Sequence, residues 1–157
     1  MAQTSPTPAA SPTASPAATA PAPEATELLL GLPATPDVEL RQAIRQGLPF
    51  SALEAVSRQL DLSTQQCGLL LGIPARTVAR RKEARQLNPQ ESDRLYRLAR
   101  ATTQAVAILG SLDHARRWLR APNRALACER PLDLLDTDIG ARQVDDVLLR
   151  LHYGIFS

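Results

Sequence analysis

From residue 63 onward, helix-start and helix-stop signals follow one another at short intervals, and nothing between them alternates as a half-buried strand must. Ser63-Thr-Gln-Gln66 has the capping-box pattern, Ser at the cap and Gln three positions on. Asn88-Pro89-Gln90-Glu91 is fuller still: Asn caps, Pro suits the first helical position, and Glu can reach back from the third. Ser111 and Thr137 are placed to cap two further helices, and Gly72 and Gly110 to stop two. Apolar residues recur between these marks at three and four positions. Leu95, Leu98, Thr102, Ala105, Val106 and Leu109 share one face of a long helix, and Val144, Val147, Leu148 and Leu151 form the stripe of the last one. The fold class expected is all-α. A composition rich in Ala, Leu and Arg with 3% aromatic residues agrees with it.

The rest of the chain fits the same scheme. Residues 1–36 hold eight of the thirteen prolines and almost no charge. Such a segment offers little area to offset its ordering entropy, so a disordered tail is expected, with Glu27 to Leu32 as a short apolar contact. Asp37 caps a helix over Val38 to Gln46 that Gly47 closes, and Pro49 opens a second helix carrying Phe50, Leu53, Val56 and Leu60. The helix after Ser63 carries Cys67, Leu70 and Leu71. A turn at Gly72-Ile73-Pro74 leads to a helix over Ala75 to Ala84 whose inward residue is Val78. Helix, glycine-containing turn, helix is the pattern of a DNA-reading helix-turn-helix. After Ser111, Leu112, Ala115, Trp118 and Leu119 form an apolar side, Ala121-Pro122-Asn123 breaks the helix, and Pro131 opens a single turn through Leu135. The expected division is a tail, 1–36, a helix-turn-helix domain, 37–108, and a small helical domain, 109–157.

The net charge of +2 decides nothing, but its distribution does. Between Arg76 and Arg100 stand eight Arg or Lys against three acids, a local excess of five positive charges. On a second helix of this kind, Arg76, Thr77 and Arg80 are placed to reach base edges, and Arg81, Lys82 and Arg85 to meet phosphate. The plainer alternative is a solvated face on a bundle helix. Sequence-specific operator binding would require a homodimer spanning two half-sites. Cys67 and Cys128 lack metal-type spacing and read as reduced thiols in or near the core. No apolar run is long enough for a bilayer and no signal peptide is present, so a cytoplasmic protein without membrane contact is expected. Asp133, Asp136 and Asp138 suit a helix start better than a metal, and His114 and His152 have no companion at catalytic spacing. With no phosphate-cradling glycine loop and no HExxH, neither catalysis nor a metal or cofactor is expected.

The end of the chain is expected to meet a partner. Arg150-Leu-His-Tyr-Gly-Ile-Phe-Ser157 follows an amphipathic helix and places Ile155, Phe156 and a carboxylate beyond a glycine. Such an end suits burial in a partner; the alternative is that Tyr153 and Phe156 fold back on the chain's own core. From Leu109 on, Trp118-Leu119, Asn123-x-x-Leu126, Pro131-Leu-Asp-Leu-Leu135, Thr137-x-x-Gly140, Val144 and Tyr153-Gly154 together resemble the C-terminal toxin-binding domain of the Xre/MbcA/ParS antitoxins. The segment before it resembles the Xre-type helix-turn-helix of that family. The resemblance implies an antitoxin of a type II toxin–antitoxin system that blocks a RES-type, NAD-consuming toxin by steric means and represses its own operon. Toxin contacts would fall on Arg150, Tyr153, Gly154, Ile155, Phe156 and Ser157, with Gly154 permitting the bend. The residues alone leave open a stand-alone helix-turn-helix regulator with no toxin.

Overall fold

From residue 63 onward the capping signals become helix ends where the sequence places them. A computed structural model describes residues 23–154, and among these residues the elements are helices. They are α1 (Pro23–Leu29), α2 (Asp37–Gln46), α3 (Phe50–Gln59), α4 (Thr64–Leu70), α5 (Ala75–Ala84), α6 (Pro89–Leu109), α7 (Leu112–Arg120), a 3₁₀ turn (Arg124–Leu126), α8 (Pro131–Leu134) and α9 (Asp138–His152). Both capping boxes close. The Ser63 hydroxyl accepts from Gln66 N at 3.1 Å, and Asn88 Oδ1 from Glu91 N at 2.7 Å. The Gln66 and Glu91 side chains return the bond to the cap nitrogens. Ser111 and Thr137 cap α7 and α9.

α6 is the axis on which the rest packs. α1, α2, α7 and α9 all lie against it, and one continuous core runs from Leu30 through Leu53, Leu95, Leu98 and Leu119 to Leu148. Two arginines of α7 bind the two halves together. Arg116 Nε donates to Gln59 O at 2.6 Å, and Arg120 Nη2 donates to Leu60 O and Asp61 O. These carbonyls terminate α3, where the helix dipole favours a cation. Between α6 and α9, Arg100 pairs with Asp145. Desolvation raises the Asp145 carboxyl above its usual range, outweighing the lowering by Arg100, and neighbouring Asp146 adds to the rise.

Several local expectations are corrected. The tail expected over 1–36 is helical from Pro23: Thr26, Glu27 and Leu30 are buried against α6 and α3. Glu27 Oε2 accepts Thr35 N at 2.7 Å, which folds the following loop back over the helix. The short apolar contact expected at Glu27 to Leu32 is part of this helix and its closing turn. Tertiary burial overrides the polar, Pro-rich composition here. Residues 1–22 lie outside the described residues. Asp37 does not cap α2; Pro36 holds the cap position, and Asp37 and Glu39 sit in the first turn, favourable to the dipole. Pro49 lies one position ahead of α3 rather than inside it. Cys67 is buried and burial pushes its thiol up to about 11, whereas Cys128 is exposed, on a left-handed turn with Ala127. Trp118 and Leu112 are half-buried, while Ala115 and Leu119 carry the inner face of α7.

Two glycines mark where helices meet most closely. A Cβ on Gly68 would stand 2.4 Å from Val78 Cγ2, so α4 and α5 cross through that gap. A Cβ on Gly140 would stand 2.0 Å from Leu134 O, so the first turn of α9 presses on the backbone of α8.

Candidate functional site

α5 is the most polar helix of the bundle, and its outer face is cationic. Only Val78 is buried on it. Arg76, Arg80, Lys82 and Arg85 are exposed and Thr77 is half-buried, so the candidate base readers and phosphate contacts share one ten-residue helix and its C-cap. No side chain caps the start of α5 and no acid occupies its first turn, which leaves its positive end open. Arg85 closes the helix in the left-handed region at φ 56°, an uncommon conformation for a residue with a side chain.

Arg81 differs from its neighbours. Its Nε donates to both carboxylate oxygens of Glu91, at 3.1 and 2.8 Å, and Glu91 is largely buried. The same carboxylate caps α6 by accepting Asn88 N at 2.8 Å. One buried carboxylate thus fastens the middle of α5 to the first turn of α6. Arg94 fastens the other end of the motif, donating from Nη1 to Leu71 O at 2.9 Å, just before the Gly72 turn. Phosphate contact is the expectation for Arg81, and its Nε is held by Glu91.

α9 offers a different surface. Ala141, Val144, Val147 and Leu148 bury its inner face. Its outer face carries Ile139, Leu149 and Tyr153, which are 72%, 42% and 60% exposed. At 100° per residue these three lie within one sector of the helix, together with exposed Arg142, Asp146 and Arg150. An apolar stripe on the side of a helix that faces away from its core is the composition of a docking face. The Tyr153 ring rests edge-on against His152 at 5.2 Å, and Gly154, at φ 65° with open space around it, lets the chain turn off the helix.

Of the residues expected at this face, Arg150, Tyr153 and Gly154 stand together at the end of α9. Ile155, Phe156 and Ser157 lie outside the described residues. Ile139 and Leu149 escape a sequence reading that follows the buried stripe. The signal that finds them is their own helical spacing with Tyr153. Asp133 is tied to Arg130, at 2.7 and 2.9 Å, and Asp138 to Arg142. Among the described residues no group of three or more His, Cys, Asp or Glu could hold a metal ion, and no helix is long and apolar enough to cross a membrane.

Comparison with known proteins divides the chain along the same surfaces. Residues 39–100 match the antitoxin Xre-like helix-turn-helix domain, and residues 104–154 match the antitoxin Xre/MbcA/ParS C-terminal toxin-binding domain. The antitoxin Xre of Yersinia enterocolitica is 30% identical over 130 residues, covering 82% of this chain and 88% of that one. The antitoxin Xre of Photorhabdus laumondii is 28% identical over the same shares, and that of Pseudomonas putida is 40% identical over 83 residues, 52% of each chain. Among solved structures, a chain in the crystal structure of the M. tuberculosis MbcT–MbcA toxin–antitoxin complex superposes with a TM-score of 0.52. The match is 29% identical and covers 69% of this chain and 96% of that one. With α5 and α9 each falling inside a matched domain, and a relative 30% identical along four fifths of its length, this chain belongs to the Xre antitoxin family.

Proposed function

We propose that the chain neutralises a RES-type, NAD-consuming toxin by laying the outer face of α9, and the segment after Gly154, across the toxin's cleft. The observation that carries this reading is the exposed stripe of Ile139, Leu149 and Tyr153 on a helix whose other face is already buried. Large apolar side chains ringed by charge form the centre of protein interfaces, and they anchor by excluding water. Phe156 and Ser157 would enter the cleft and keep out the substrate. The antitoxin performs no chemistry itself; it occupies an entrance.

In the same reading, α5 binds operator DNA in the cytoplasm, through a homodimer that spans two half-sites, and the complex represses its own operon. The division of labour follows the sequence, with residues 37–108 for DNA and 109–157 for the toxin. Support comes from the exposed cations of α5 and from the family assignment of both segments.

The test is co-expression with the neighbouring open reading frame, scored by growth rescue and co-purification, for the full chain and for a chain ending at Tyr153. Rescue by the full chain supports the antitoxin reading, and failure of the shortened chain supports the plug. A harmless neighbour that does not co-purify would make the chain a stand-alone regulator.

A further inference from the structure

A groove of about 630 Å³ lies between α2 and the first turns of α6. Four arginines line it: Arg41 and Arg45 from α2, Arg94 and Arg97 from α6. The acid among its lining residues, Asp93, is already engaged, because Arg97 donates to its Oδ2 from Nε at 3.1 Å and from Nη2 at 2.5 Å. Arg97 Nη1 is buried and without a hydrogen-bond partner. Arg41 and Arg45 are exposed, and among the described residues neither makes an ion pair or a side-chain hydrogen bond. Four guanidinium groups against one engaged carboxylate, with a buried N–H unsatisfied, make a site that wants oxyanions.

The groove adjoins the helix assigned to DNA. The Gln86 side chain, one residue past Arg85, donates to Gln46 O at 3.0 Å and Gly47 O at 3.2 Å, so the end of α5 is clipped to the end of α2 beside Arg45. Arg94 is clipped to the turn before α5, and Glu91 to its middle. The groove's two walls are therefore hydrogen-bonded to both ends of the motif and to the middle of α5. We infer that this α2–α6 groove grips the phosphodiester backbone of DNA beside the bases that α5 reads, with Arg41 and Arg45 as its freest contacts. The inference rests on the DNA reading proposed above and adds to it a second, sequence-blind contact.

The experiment uses the full chain and two 30-base-pair duplexes, one from upstream of its own gene and one scrambled, with affinity followed from about 50 to 200 mM salt. Each phosphate contact contributes about 0.9 to the salt slope. R41Q/R45Q is expected to weaken both duplexes alike, by roughly tenfold or more at low salt, to flatten the slope by about 2, and to leave the preference between duplexes unchanged. R76Q/R80Q is expected instead to erase that preference. If R41Q/R45Q, with wild-type helicity, matches the wild type in affinity and slope while R76Q/R80Q does not, the groove assignment is wrong and the DNA reading stands. If the wild type shows no salt-dependent affinity for either duplex, both fall. Calorimetry with inorganic pyrophosphate covers a free-anion site: binding lost in R41Q/R45Q with DNA affinity unaltered would overturn the backbone assignment.

Discussion

α5 is held in the bundle by one buried apolar side chain, Val78, whereas α9 buries Ala141, Val144, Val147 and Leu148 and still has an apolar stripe left over. The outward surplus of α5 is charge, and that of α9 is hydrocarbon. A polyanion is met by cations that release its counterions, and a protein cleft is filled by side chains that exclude water. The helices are also fixed differently. α5 leans on polar clips, Arg81 to Glu91 and Arg94 to Leu71 O, while α9 is wedged by its own backbone against α8.

That contrast has its largest consequence at the two close-approach glycines. At Gly140 an added methyl meets the Leu134 carbonyl, which cannot rotate away, so Gly140→Ala should cost about 3 kcal/mol or more, read as a lower denaturation midpoint. At Gly68 the obstacle is the Val78 side chain, and Gly68→Ala should cost about 1–3 kcal/mol. Adding Val78→Ala should recover part of the Gly68 loss, whereas no side-chain truncation should recover the Gly140 loss. Equal costs at the two glycines, or no recovery, would break the distinction between a side-chain seam and a backbone wedge.

Arg85 sharpens the functional half of the contrast. A side chain in the left-handed region costs about 1 kcal/mol relative to glycine. Arg85→Gly should therefore stabilise the fold by roughly that amount while weakening DNA, because the charge at the end of α5 is lost. A variant that gains stability with unchanged DNA affinity would show that this cation serves only as a surface residue.

What the sequence made legible was local. Ser63, Asn88, Glu91, Ser111 and Thr137 find their partners within three residues, and spacing alone reveals them. The buried stripes of α6 and α9 follow from periodicity. The unread parts involve partners distant in sequence. Arg116 and Arg120 reach carbonyls near residue 60, and α1 packs on α6 and α3 with Thr26 and Glu27 buried. Gly68 and Gly140 matter because of what stands opposite them in space. At the sites, the cations of α5 were readable one by one, but the pairing of Arg81 with Glu91 was not. The second face of α9 was hidden because a reader tracing the core discounts Ile139 and Leu149.

The smallest effect concerns the α6–α9 pair. Because the Asp145 carboxyl is raised when folded, the native state holds its proton more tightly than the unfolded chain does. Its contribution to stability therefore increases as pH falls through the folded pKa, and above that pKa the ionised, partly desolvated group works against folding. Asp145→Asn removes this dependence. The variant should equal or slightly exceed the wild type in unfolding free energy at neutral pH, by under about 1 kcal/mol, with the difference narrowing on acidification. A difference that widens in acid would reverse the sign.

The central claim is that binding to the partner lies in the outer face of α9, separate from the core and from α5. Its most direct test is the affinity of I139D/L149D for the partner toxin, measured beside its DNA affinity and Tm. Both positions are exposed, so the fold and DNA binding should stay at wild-type levels, while toxin affinity falls by a hundredfold or more, about 3 kcal/mol for two interface anchors. Undiminished toxin binding by a correctly folded I139D/L149D chain would contradict the account.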